Sequence, residues 1–271
     1  MRYVTLQNAE KLPVIGLGTW SIGGGMAPAR SRDEQALQAL HTALDLGYTH
    51  LDTAEMYGAG HTEELIGRAI QGRDRKEFFL TTKVSASNLR YADVLRALDR
   101  SLARLKTSYV DLYLIHWPNT SIPLEETFKA LNQAVREQKV RHVGVSNFNL
   151  EQLQKSAVLC ETPLTTNQVP YSLFTRRYQQ NGIIKYCQQN QIVVTAYSPL
   201  KDSRLGRDAT VQQIANNHRA TSYQIGLAWL VQQPWVITIP MSENPQHLAA
   251  NLKAGDLQLT PEEMEVLDRL G

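Results

Sequence analysis

Short apolar segments alternate along the chain with longer segments in which apolar residues recur every three or four positions. The first kind predicts buried β-strands, and the second predicts amphipathic helices. The predicted strands comprise residues 14–18, 50–52, 78–83, 112–116, 140–146, 166–169, 192–196 and 236–240. A strand followed by a helix, repeated without a break in composition, is typical of a parallel sheet, and eight repeats favour a closed barrel. The sequence therefore predicts a single α/β domain over residues 1–271, a (β/α)8 TIM barrel.

The ends of the helical segments carry recognisable capping residues. Capping boxes are predicted at Ser31 with Glu34, at Asn149 with Gln152 and at Thr260 with Glu263. Gly47 is predicted to end the first helix, because glycine readily adopts the left-handed conformation found at helix C-termini. In a later helix the apolar positions on one face are Val94, Leu98, Leu102 and Leu105.

Composition and charge exclude several classes of partner. Charged residues make up 20% of the 271 residues and the net charge is +2, with lysine and arginine scattered along the chain. This distribution argues against nucleic acid or an anionic membrane as a partner. No apolar stretch reaches the roughly 20 residues of a membrane span, and none at the N-terminus resembles a signal peptide. The only cysteines, Cys160 and Cys187, have no close partner, so we expect a cytoplasmic protein. A monomer is the default expectation, since no apolar seam calls for a second copy.

Four polar residues lie where predicted strands end or just beyond, the position at which barrel enzymes carry their active sites. Asp52, Lys83 and His116 end three consecutive strands, and Tyr57 follows on the loop after the first of them. A free tyrosine has a pKa of about 10, and a neighbouring ammonium would lower it. Lys83 is therefore expected to lower the pKa of Tyr57, Asp52 to orient Lys83, and neutral His116 to donate an N–H to a substrate carbonyl. Taken singly, each residue also has an ordinary structural explanation.

The residues around these positions resemble the aldo-keto reductase family. Residues 47–54 (GYTHLDTA), Tyr57 and residues 64–67 (ELIG) are similar to its first signature, and residues 141–148 (RHVGVSNF) are similar to its second. The similarity continues in residues 114–118 (LIHWP), 196–200 (AYSPL) and 239–242 (IPMS), and it covers essentially the whole chain.

The resemblance implies hydride transfer between a nicotinamide cofactor and a carbonyl, with Tyr57 as the proton donor and Asp52, Lys83 and His116 completing a catalytic tetrad. It implies that Ser146, Asn147 and Gln168 bind the nicotinamide carboxamide and that Tyr197 stacks on its ring. The cofactor-binding positions that it implies are Thr19, Trp20, Asp52, Ser146, Asn147, Gln168, Tyr197, Ser198, Leu200, Ser242, His247 and Asn251. The substrate pocket that it implies is formed by Trp20, Tyr57, His116 and Trp117. No metal site is expected, because the histidines show no ligand spacing.

The sequence departs from the family pattern where NADPH is distinguished from NADH. Met241 stands where a lysine commonly contacts the 2′-phosphate, His247 where an arginine is frequent, and Ala250 where a glutamate often binds the adenosine half. NADPH remains the favoured cofactor, with NADH or dual use left open. Lys201 and Arg204 are expected near the pyrophosphate. The chain ends soon after Asn251, which predicts an open pocket that accepts several aldehydes, ketones or dicarbonyls.

Three other interpretations stay open at this point. The same site would catalyse alcohol oxidation with NAD in the reverse direction. A hydrolytic barrel would need paired carboxylates or a metal cluster at its mouth. A redox-sensing or regulatory subunit would bind nicotinamide and turn over slowly, although the presence of all four tetrad residues argues against it.

Overall fold

The chain forms a parallel barrel, as predicted. The computed structural model describes residues 2–271. The barrel strands are β3 (Leu17–Gly18), β4 (His50–Asp52), β5 (Phe79–Val84), β6 (Val110–Ile115), β7 (Val140–Ser146), β8 (Thr166–Pro170), β9 (Val193–Tyr197) and β10 (Val236–Thr238). Each pairs in parallel with the next in chain order. The first and last strands are joined by a parallel bridge between Ile15 and Thr238, where the Gly16 amide donates to the Thr238 carbonyl at 2.9 Å. The ring of strands is therefore closed.

Helices separate the strands along the chain. They are α1 (Asp33–Asp45), α2 (His61–Ala69), α3 (Tyr91–Leu105), α4 (Leu124–Arg136), α5 (Leu150–Leu159), α6 (Arg177–Gln180), α7 (Ile183–Gln189), α8 (Ala209–Asn217), α9 (Ser222–Gln232), α10 (Pro245–Ala254) and α11 (Pro261–Asp268). In α3, the predicted apolar face of Val94, Leu98, Leu102 and Leu105 is buried. Every residue of β5 and β6 is buried, as expected for strands covered on both faces.

Two of the three predicted capping boxes are confirmed, at Asn149 with Gln152 and at Thr260 with Glu263. The prediction at Ser31 is wrong, because a 3-10 turn over Arg30–Arg32 precedes α1 and Ser31 lies inside it. Arg32 stands at the cap position, and no side chain caps this helix. Gly47 follows α1 with a φ of 100°, a left-handed conformation that suits glycine.

A hairpin that the sequence pattern did not predict lies at the end of the barrel opposite the C-terminal ends of the strands. Its strands are β1 (Tyr3–Thr5) and β2 (Lys11–Pro13), which pair antiparallel. Glu10 in the turn contacts Arg141 and His142 near the start of β7, both at 2.7 Å. The hairpin leaves the opposite end, where the tetrad candidates lie, free to form a cavity.

Candidate active site

The four tetrad candidates come together at the C-terminal end of three neighbouring strands. Asp52 ends β4, Lys83 lies near the end of β5, and His116 directly follows β6. Lys83 Nζ lies 2.5 Å from Asp52 Oδ1 and 3.3 Å from the hydroxyl of Tyr57, and it donates to the Thr53 carbonyl at 2.8 Å. Because the strands are parallel and adjacent, residues that are distant in sequence meet at one end of the barrel and form a hydrogen-bonded cluster.

Lys83 is completely buried and keeps its positive charge. Burial is the largest influence on its pKa and lowers it, but Asp52 and Tyr57 together raise the pKa above its ordinary value. A buried ammonium is stable only when paired and hydrogen-bonded, and Asp52 and the Thr53 carbonyl meet that need.

Lys83 acts on the pKa of Tyr57 in the expected direction, lowering it, but the net shift of that pKa is upward. Burial raises the pKa of Tyr57 above its usual value, and the opposing effect of Lys83 is smaller. The Tyr57 hydroxyl is therefore protonated at neutral pH.

His116 is neutral, as expected. Burial, aided by the charge of Lys83, lowers its pKa to about 3. Its ring lies edge-on to that of Tyr57 at a centroid distance of 5.7 Å, and its Nδ1 is buried without a hydrogen-bond partner. The Trp20 ring contacts Tyr57 in the same manner at 4.9 Å.

Ser146, Asn147 and Gln168 form a second polar group on the adjacent strands β7 and β8. Ser146 Oγ and the Asn147 amide both donate to the Gln168 carbonyl at 2.9 Å. The Asn147 side chain donates to Ser146 Oγ and to the His116 carbonyl and accepts from the Tyr197 hydroxyl at 2.9 Å. Asn147 has a φ of 63°, a left-handed conformation that asparagine tolerates better than most residues.

Gln168 also reaches the tetrad. Its Nε2 donates to Asp52 Oδ2 at 2.8 Å, so the two carboxylate oxygens of Asp52 are held by Gln168 and Lys83 respectively. This contact was not predicted, because the two residues are 116 positions apart and neither motif implies it.

A cavity of about 530 Å³ opens at this end of the barrel. Among the predicted residues, those that line it are Thr19, Trp20, Asp52, Tyr57, His116, Trp117, Ser146, Asn147, Gln168, Tyr197, Ser198 and Leu200. Lys83 is buried behind this lining: it contacts the Tyr57 hydroxyl but is not itself a lining residue. Trp20 and Trp117 are 41% and 49% exposed, which places them at the rim. The lining residues that sequence analysis missed are Gly18, Met56, Pro199, Ile239 and Pro240, all close to the motif residues.

Three predicted cofactor positions lie outside this cavity. Ser242 Oγ accepts from the Asn244 amide at 3.1 Å, and Asn244 in turn caps α10, which carries the exposed His247 and the buried Asn251. Met241 and Lys201 line the cavity, whereas Arg204 is paired with Asp202 at 2.8 Å.

Within residues 2–271, no group of three or more His, Cys, Asp or Glu side chains is arranged to hold a metal ion. Cys160 and Cys187 are buried and not bonded to each other. None of the described helices has the length and hydropathy to cross a bilayer.

A model of the Aldo/keto reductase family matches residues 14–271. The chain belongs to this family. It is accordingly an NAD(P)H-dependent oxidoreductase that acts on carbonyl groups. This aldo/keto reductase is 34% identical over 267 residues to methylglyoxal reductase YeaE of Escherichia coli, covering 95% of this chain and 90% of the relative. It is 33% identical over 269 residues to the glyoxal reductase of Bacillus subtilis, covering 98% and 92%.

Solved structures confirm the fold of this aldo/keto reductase. The crystal structure of the thermostable aldo-keto reductase Tm1743 with the inhibitor epalrestat superimposes with a TM-score of 0.96 at 47% identity, covering 100% of both chains. An aldo/keto reductase from Klebsiella pneumoniae, crystallised with NADP and acetate, gives a TM-score of 0.89 at 37% identity, covering 99% of this chain and 94% of the other.

The residues of the cavity fit a nicotinamide cofactor. Because Gln168 Nε2 is engaged with Asp52, its Oε1 remains as an acceptor for a carboxamide N–H. The Ser146 hydroxyl and the Asn147 amide donate within the chain here, and they would exchange one of those bonds to donate to the carboxamide oxygen. The half-buried Tyr197 ring lines the same cavity. A carboxamide needs both donors and acceptors, and an aromatic ring beside it offers a stacking surface.

Proposed function

We propose that this aldo/keto reductase reduces small aldehydes and dicarbonyls at the expense of NADPH, with Tyr57 as the proton donor. The observation that carries the proposal is the presence of Tyr57 in the lining of the cavity, with its hydroxyl 3.3 Å from the buried ammonium of Lys83. Bound NADPH would supply a hydride from its nicotinamide ring. The chain's own residues bind the cofactor, orient the carbonyl and deliver the proton.

Each tetrad residue has a distinct part in this proposal. The Tyr57 hydroxyl donates its proton to the carbonyl oxygen, and Lys83 stabilises the tyrosinate that remains. Asp52 holds Lys83 in place. The neutral imidazole of His116 carries one N–H, which orients the carbonyl and stabilises the negative charge developing on its oxygen.

The cofactor and substrate assignments rest on the lining of the cavity. Ser146, Asn147 and Gln168 would bind the carboxamide, and Tyr197 would stack on the ring. The remaining cofactor positions in the proposal are Thr19, Trp20, Asp52, Ser198, Leu200, Ser242, His247 and Asn251. Trp20 and Trp117 form the exposed rim, so the pocket takes small carbonyls of varied shape. Relatives named methylglyoxal and glyoxal reductases support dicarbonyls as substrates.

The proposal includes a monomer acting in the cytoplasm. Two unbonded, buried cysteines fit a reducing compartment. A net charge of +2 fits a small-molecule substrate better than nucleic acid.

The test is oxidation of NADPH and NADH with methylglyoxal and 4-nitrobenzaldehyde by wild type, Tyr57→Phe and Tyr113→Phe. Tyr113 is also buried, but its hydroxyl has no hydrogen-bond partner, which makes it the matched control. We expect Tyr57→Phe to lower kcat by roughly 100- to 10,000-fold with unchanged NADPH affinity, and Tyr113→Phe to retain activity. A wild type that binds NADPH but reduces neither aldehyde would favour the regulatory interpretation instead.

A further inference from the structure

His61 lies outside the proposed catalytic residues, four positions after Tyr57 and at the first position of α2. The side chain is almost completely buried, with 3% exposure. Its Nε2 lies 2.6 Å from Asp33 Oδ1 and its Nδ1 lies 2.8 Å from Glu64 Oε2. Both ring nitrogens therefore face a carboxylate.

Two carboxylate acceptors call for an N–H on each ring nitrogen. A neutral imidazole has one N–H donor and one nitrogen lone pair, whereas an imidazolium has two donors. A lone pair directed at a carboxylate oxygen at either distance would be repulsive, and only the imidazolium donates in both contacts. The hydrogen bond from His61 is the main reason why the pKa of Asp33 lies below its usual value, which keeps that carboxylate ionised.

The charged groups around the ring come from α1, from α2 and from the 3-10 turn before α1. Asp33 opens α1 and also accepts from Arg68 of α2 at 3.3 Å. Glu64 of α2 is 3.6 Å from Arg30, in the turn before α1. Arg68 and Arg30 are exposed, so the buried charge that joins the two carboxylates is that of His61.

The turn between Tyr57 and His61 has an unfavourable backbone conformation, so contacts with residues outside the turn must stabilise it. Gly58, Ala59 and Gly60 adopt φ values of 57°, 52° and 95°, and for Ala59 this conformation is strained. Gly60 occupies the cap position of α2 and provides no capping side chain.

The segment after β3, which carries Trp20, is joined to this turn. The Gly58 amide donates to the Gly25 carbonyl at 2.6 Å, and Thr62 Oγ1 donates to the Ile22 carbonyl at 2.8 Å. His61 adds the link to Asp33 at the start of α1. The turn that follows Tyr57 and the segment after β3 that carries Trp20 therefore contact each other beside the cavity.

We propose that His61 is a positioning residue for Tyr57, acting as an imidazolium that ties the strained turn to α1. The proposal rests on the proposed role of Tyr57 as proton donor. A misplacement of about 1 Å at a reacting group costs on the order of 100-fold in rate. Loss of the His61 charge would release one of its two contacts and let the Tyr57 hydroxyl move relative to Lys83 and the substrate.

The first experiment compares His61→Gln with the control His218→Gln. His218 contacts Glu263 at 2.8 Å and joins α8 to α11 away from the cavity, so the control also loses a contact between a histidine and a carboxylate. With methylglyoxal and NADPH, we expect His61→Gln to lower kcat by roughly 10- to 100-fold, with KM for NADPH changed less than about threefold. His218→Gln should keep kcat within about twofold of wild type at a temperature where all variants remain folded.

Asp33→Asn provides the test that a general loss of packing cannot imitate. The asparagine amide can donate to Nε2 of a neutral ring, so the contact no longer requires a charged histidine. We expect the His61 ring to carry one proton in Asp33→Asn and two in the wild type, while kcat of Asp33→Asn stays within about threefold of wild type because both ring contacts survive. Nitrogen NMR of ring-labelled histidine at pH 7 should show protons on both nitrogens of His61.

Each result decides between explanations. The proposal for His61 is overturned if the wild-type ring carries a single proton. It is also overturned if His61→Gln and His218→Gln have equal kcat while Tyr57→Phe is inactive. Either result leaves the proposed function intact. An active Tyr57→Phe overturns the proposed function, and with it the positioning role, whatever the NMR shows. If His61→Gln does not fold, the same number of ring protons on His61 in wild type and Asp33→Asn overturns the proposal.

Discussion

The side-chain amide of Gln168 donates to Asp52 Oδ2 at 2.8 Å, while Lys83 contacts the other oxygen of the same carboxylate. Gln168 also lines the cavity. One residue of the proposed carboxamide site is therefore bonded directly to the carboxylate that holds Lys83. The proposed carboxamide site and the proposed proton donor thus share a hydrogen-bond network.

Gln168→Glu should disrupt this network more than Gln168→Met. A glutamate would place a second carboxylate against Asp52, and two like charges at hydrogen-bond distance disfavour ionisation of both. Asp52 would then hold Lys83 less firmly. We expect kcat with methylglyoxal to fall roughly 100-fold in Gln168→Glu and about 10-fold in Gln168→Met. Equal losses in the two variants would show that Gln168 does not act through Asp52.

Removing Lys83 alone should destabilise the fold. Lys83→Met leaves the carboxylate of Asp52 buried at 1% exposure without its cation, and breaking such a pair costs about 3–5 kcal/mol. Asp52→Asn/Lys83→Met removes both charges and should be more stable to urea than Lys83→Met. A double variant no more stable than Lys83→Met would show that the unpaired carboxylate is not the source of the loss.

Acid should weaken the fold through buried histidines. Burial lowers the pKa of His50 to about 4, and burial with the charge of Lys83 lowers that of His116 to about 3. The unfolded chain takes up these protons below a pH of about 6.5, and the folded chain does not until the lowered pKa is reached. Stability is therefore fully present above pH 6.5 and falls with pH by up to about 1.4 kcal/mol per unit for each histidine.

Urea unfolding between pH 7 and pH 4 tests this expectation. His50→Gln should show a slope shallower by about 1 kcal/mol per pH unit in this window, and it should run parallel to wild type between pH 7 and pH 9. An unchanged acid slope in His50→Gln would mean that His50 does not contribute to acid destabilisation.

Local patterns were sufficient to predict the barrel and the four tetrad candidates. The ends of the strands could be predicted because polar residues lie at or within one residue of them: Asp52 is the last residue of β4, Lys83 the last but one of β5, and His116 the first after β6. The hairpin of β1 and β2 was not predicted, because its strands have three residues each and part of each strand is exposed. Such short strands have no periodicity to detect.

Properties that depend on the folded environment were the ones missed. The pKa of Tyr57 is raised because burial outweighs Lys83, and the extent of burial cannot be obtained from spacing. The bond between Gln168 and Asp52 and the bridge through His61 join residues far apart in sequence or outside the motifs. Ser31 satisfied a capping pattern, but the preceding 3-10 turn displaced the helix start to Asp33.

Cofactor discrimination should respond to the residue at Met241. This side chain lines the cavity and is 43% exposed, and the family pattern has a lysine at its position. Met241→Lys would add a charge-assisted contact to a 2′-phosphate, worth about 1.5–3 kcal/mol, or roughly 10- to 100-fold in affinity. We therefore expect tighter NADPH binding, with NADH affinity unchanged within about twofold.

Val158→Lys, at a position that is 85% exposed on α5, adds the same charge and should leave both affinities unchanged. Fluorescence titration with both cofactors gives the comparison. Equal tightening of NADPH and NADH by Met241→Lys would place the new charge at a group that both cofactors share, and Met241 would then not be the position that reads the 2′-phosphate.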